Sequence, residues 1–128
     1  MSKWELLDME GRIREILHNP EYDTDHHFGR PFLTPYQIGI ELVNRYPNIL
    51  ADLELPFGGS GTGTQNSLCQ YIANELSRRI QDGRINDIEG RFLANDFVRT
   101  FSFVKNDGSE VISSNSGKEY LSMFRIPI

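Results

Sequence analysis

The hydrophobic period of this chain changes once, at Asp82-Gly83. Before that point apolar residues recur at steps of three and four, as on the buried face of an amphipathic helix. After it, Phe101-Ser102-Phe103 alternates as a half-buried strand does, Asn106-Asp107-Gly108 is a hairpin turn signal, and Glu110-Val111-Ile112-Ser113 returns. Helices first and antiparallel strands last make an α+β fold. The sequence shows neither an internal repeat nor a linker, so residues 1–128 are read as a single domain.

Three helices are expected. The first spans residues 3–18, with Leu6, Met9, Ile13, Ile16 and Leu17 on one side, and Asn19-Pro20 stops it because the residue before proline avoids the α region. The second starts at Pro35, capped by Thr34, and its Tyr36, Ile38, Ile40, Leu42, Val43 and Tyr46 cover a wide apolar arc. Pro47 ends it, and a short helical turn through Ile49, Leu50 and Leu53 follows. The third runs from about Ser67 to Gln81, with Ser67 and Gln70 as a capping box and Asp82-Gly83 as the stop. Leu68, Cys69, Ile72, Ala73, Leu76 and Ile80 share its apolar arc, and Arg79 at the margin must snorkel or meet a carboxylate. Residues 84–98 show no clear period and read as a loop with a short turn of helix. A last strand is expected from Tyr120 to Ile126. The architecture is thus an N-terminal three-helix cluster followed by a small antiparallel hairpin or three-stranded sheet.

Charge excludes some partners. Thirteen basic and eighteen acidic residues give a net charge of −5, which disfavours non-specific binding to nucleic acid or an anionic membrane. The imbalance lies in the first 65 residues, which carry five basic and ten acidic side chains, against eight of each in the remainder. No apolar run approaches a membrane span and the N-terminus lacks a signal-peptide core, so a cytoplasmic protein without membrane contact is expected. The lone Cys69 excludes an internal disulfide.

Four features carry candidate chemistry. The glycine-rich loop Gly58–Thr64 leads into the third helix, where backbone amides of Gly59, Gly61, Gly63 and Thr64 can meet an anion. Its spacing resembles a P-loop, but Thr64 and Gln65 replace the phosphate-reaching Lys and the magnesium-binding hydroxyl, which argues against NTP hydrolysis. Asp23, Asp25, His26 and His27, with His18 nearby, offer imidazoles and carboxylates without an established zinc spacing, so no metal or cofactor is expected. Cys69 falls on the apolar arc and is read as a buried thiol. Finally, Gln70, Asn74 and Arg78 form an exposed stripe on the third helix with Tyr71 at its edge, the expected partner-binding surface.

The helix order followed by a hairpin resembles a winged-helix domain, in which such a stripe reads base edges. The long connection from Pro47 to Gln65 and the neutral C-terminal half depart from that pattern. The expected function is therefore a small acidic, non-enzymatic module that binds another protein, of the inhibitor or immunity type. A winged-helix-like DNA-binding regulator is the alternative. The sequence leaves the oligomeric state open.

Overall fold

The helices begin where the caps place them. A computed structural model describes residues 1–18, 26–59, 66–113 and 121–127. Thr34 Oγ1 accepts from the Gln37 amide and the Gln37 side chain accepts from the Thr34 amide, a reciprocal box that opens the helix Pro35–Arg45. At Ser67 the box is half made. Its hydroxyl accepts from the Gln70 amide, but the Gln70 side chain turns along the helix Leu68–Gln81 to Asn74 instead.

The expected helix over 3–18 is broken in two, Lys3–Leu6 (α1) and Met9–Leu17 (α2). Asp8 stands between them in the left-handed region (φ 48°), and its carboxylate accepts from the Gly11 amide as the N-cap of α2. The break gives α1 its own buried direction: Trp4 is in the core, whereas Leu6, expected to be buried, is 65% exposed. The later helices are α3 (Pro35–Arg45), α4 (Ile49–Leu53) and α5 (Leu68–Gln81).

Four strands follow among the described residues: β1 (Glu89–Leu93), β2 (Ser102–Val104), β3 (Glu110–Ile112) and β4 (Leu121–Arg125). The hairpin β2–β3 is where the turn signal puts it. Gly108 (φ +86°) takes the left-handed position, its amide bonding Lys105 O at 2.9 Å while Lys105 N bonds Ser109 O at 2.9 Å. The final strand does not join this hairpin. It pairs antiparallel with β1, from Glu89 opposite Arg125 to Leu93 opposite Leu121, in a separate two-stranded sheet. β1 thus occupies a segment expected to be a loop. Phe92 and Leu93 are exposed, so its side chains carry no buried alternation that would betray a strand; pairing with β4 creates it.

Helices and strands share one apolar cluster. Met9, Ile13, Ile38, Leu42, Leu68, Ile72 and Leu76 are fully buried, and Val111, Leu121 and Phe124 join them from the strands. Burying each such side chain stabilises the fold by roughly 1.5–3 kcal/mol. Among the described residues no helix is long and apolar enough to cross a membrane.

Candidate functional site

The stripe on α5 is largely bonded to itself. Gln70 Nε2 donates to Asn74 Oδ1 at 3.0 Å, and the exposed Arg78 guanidinium is paired with the Glu75 carboxylate. Glu75 also holds Arg79 at 3.2 Å. Sequence reasoning overlooked Glu75, although its spacing three and four residues before two arginines marks such pairs on a helix. Tyr71 is half-buried and meets Trp4 edge-on at 5.8 Å; burial pushes its phenol above the usual range.

The glycines nearest α5 are occupied with packing. A side chain at Gly59 (φ +107°) would lie 2.9 Å from the Ile112 carbonyl oxygen, and one at Gly58 (φ +115°) would lie 2.7 Å from Ser67 Oγ. Glycine is therefore needed where this segment runs against β3. The first amides of α5 are also taken: Leu68 N by Pro56 O at 2.8 Å, Cys69 N by Phe57 O at 3.2 Å, and Gln70 N by Ser67 Oγ. Gly61, Gly63 and Thr64 lie outside the described residues.

Asp23 and Asp25 also lie outside them. The His26 and His27 rings stack at 4.5 Å, and His27 packs on Phe28 at 4.2 Å. No group of three or more potential metal ligands comes together among the described residues. His26 and Phe28 instead border a cavity of about 600 Å³ with Arg30, Phe32 and Arg125. Arg125 braces its wall: Nε meets Glu89 at 2.7 Å, Nη1 donates to Phe28 O at 2.6 Å and Arg30 O at 3.1 Å, and the guanidinium lies 4.4 Å from the Phe32 ring centroid. Arg30 in turn donates to Ile126 O at 3.3 Å. These arginines tie the 28–32 segment to β4. They stand more than 90 residues apart, so no local spacing announces them. Cys69 is buried and its thiol is pushed up to about 12 by that burial, the chemistry of an inert core thiol.

Among the described residues, the outer edge of β2 carries main-chain groups with unspent hydrogen-bonding capacity. Ser113 N bonds Phe101 O at 2.8 Å and Lys105 N bonds Ser109 O, so the residues of β2 in register with them point their backbone groups at β3. Ser102 and Val104 alternate with these and turn N–H and C=O away from β3. Among the described residues nothing pairs with them there. Beside this edge runs a groove of about 380 Å³, walled on the helical side by Ile16, Leu33, Gln37, Ile40 and Glu41. Sequence reasoning missed it, because a groove between β2 and α3 joins segments some 60 residues apart.

Comparison with protein families, characterised proteins and solved structures finds no match to this chain.

Proposed function

We propose that this chain is a small non-enzymatic binding module whose partner is another protein. The observation that carries the reading is the unpaired edge of β2 lying along a helix-lined groove, since main-chain donors and acceptors beside apolar walls are what a protein segment satisfies. The acidity of the first 65 residues agrees with a partner that is basic at the contact. An inhibitor or immunity-type role is one form such binding takes.

The DNA-binding alternative keeps the support of a hairpin that follows α5, as a wing follows a recognition helix. Against it, Arg78 is paired with Glu75, a carboxylate that Arg79 shares, and Gln70 donates one hydrogen bond to Asn74. A phosphate or base edge would have to compete with these bonds.

Affinity capture from nuclease-treated lysate tests the reading, with wild type beside a variant of the β2 edge, Val104→Pro. A protein retained by wild type and lost by the variant is the expected result. Co-purifying nucleic acid in untreated lysate, lost when Gln70, Asn74 and Arg78 are all replaced by Ala, would favour the alternative.

A further inference from the structure

The edges of the two sheets are not equivalent. In the β1–β4 sheet the outer edge of β4 is bonded at Phe124 by Leu33, whose amide and carbonyl exchange bonds of 2.8 and 2.9 Å with it. On β1 the Gly90 carbonyl accepts from Arg91 Nη1 at 2.8 Å. In the β2–β3 sheet the outer side of β3 is covered at Ile112 by the backbone of Gly59. Among the described residues β2 has no such cover. Its two outward residues, Ser102 and Val104, are exposed, Val104 by 68%, and neither is a lysine or a proline of the kind that protects strand edges.

We propose that a segment of the partner protein adds to β2 as an extra strand. This rests on the protein-binding reading above and names the form of the partner. An extended backbone is the occupant that meets the N–H and C=O of both Ser102 and Val104 at strand spacing. The partner's inward side chains continue the face of Phe103 and Val111, which is the buried face of the sheet. They enter the groove over Ile16, Leu33 and Ile40, which calls for an apolar residue there. The polar wall carries Glu41, whose ion pair with Arg45 is about one-third exposed on each side and open to exchange. A Lys or Arg two positions from the apolar residue reaches the same face and meets Glu41. The segment recognised is thus extended, with an apolar and a cationic residue spaced i, i+2.

Selection of a random-peptide display library on the immobilised full chain tests this. Enriched peptides are expected to share the i, i+2 pattern and to lose at least about tenfold in affinity against Val104→Pro, which removes one outward N–H. Proline is tolerated on an edge strand whose N–H faces solvent, so the variant should melt within about 5 °C of wild type. Hydrogen exchange on the unmutated chain gives a second readout, free of any folding defect. The Ser102 and Val104 amides should exchange readily alone and become protected when a selected peptide binds, while amides on the outer face of α5 stay unchanged. Failure to enrich any peptide, or peptides that leave Ser102 and Val104 unprotected, would overturn strand addition. Protection of both amides without peptide, in a chain that dimerises, would assign the edge to a second copy and equally overturn it. In each of these cases, specific protein capture in the preceding experiment would leave the broader protein-binding reading standing.

Discussion

Arg79 lies against Trp4 in the core, its guanidinium carbon 4.8 Å from the ring centroid, although α1 and α5 are separated by most of the helical half of the chain. Glu75 pairs with it at 3.2 Å, and the side chain is 9% exposed. The residue that looks out of place on the apolar margin of α5 is therefore a packing element whose counter-ion is shared with Arg78. Replacing it by Ala removes the stem that covers Trp4 as well as the charge, and should cost about 2–4 kcal/mol. Met fills most of the volume, and Glu75 keeps Arg78, so Arg79→Met should cost less than half as much. Urea midpoints of the two variants check this; equal losses would show that charge, not packing, is what the site requires.

Two glycines with positive φ should respond differently to alanine. Gly83 (φ +83°) has open space around it, so Gly83→Ala costs only the left-handed conformation, about 1 kcal/mol. Gly59→Ala adds a collision with the Ile112 carbonyl oxygen, a backbone atom that cannot swing aside, and should cost at least about 2 kcal/mol. Thermal or urea unfolding of both variants measures the difference.

Asp87 links the segment before β1 to α2 through Arg14 at 2.8 Å, and that hydrogen bond holds its carboxyl below the usual range. A carboxyl whose native value is depressed stabilises the fold above its unfolded value near 4. The contribution disappears as pH falls through the lower native value. The Asp87 side chain is 57% exposed, so screening should keep the contribution below about 1 kcal/mol. Asp82, held by Arg84, and Asp107, held by Ser109, are depressed in the same direction. Comparing Asp87→Asn with wild type isolates one pair: the variant should be less stable at pH 6, and the gap should close as pH falls below the usual carboxylate range.

Cys69 should be unreactive in the folded chain. Burial, the largest influence on it, pushes the thiol up to about 12, so hardly any thiolate exists at pH 8. A disulfide reagent at that pH should modify it only after urea unfolds the protein. Rapid labelling under native conditions would mean that the space between Gly39, Phe57 and Cys69 opens readily.

What the sequence determined by itself is local. Thr34-Pro35 and Ser67 start helices because one hydroxyl can satisfy an orphan amide within a single turn, and the apolar arcs behind them bury the residues that the period names. Asn106-Asp107-Gly108 makes its turn because only Gly108 must adopt the left-handed conformation. The α+β order follows from these signals alone. The tertiary structure decided the rest. The run from Met9 to Leu17 does not forbid a longer helix, and Asp8 breaks it only because the core accepts Trp4 from a second direction. β1 has no period of its own and becomes a strand by pairing with β4, Glu89 meeting Arg125 across 36 positions. The α5 stripe is visible in the sequence, but the partners of its side chains, Asn74 for Gln70 and Glu75 for Arg78, are set by the folded helix. The β2 edge could not be seen there, because it depends on which strand lacks a neighbour. Helix periods and turns are properties of adjacent residues, whereas an open edge and a groove belong to surfaces that meet only after the chain has folded.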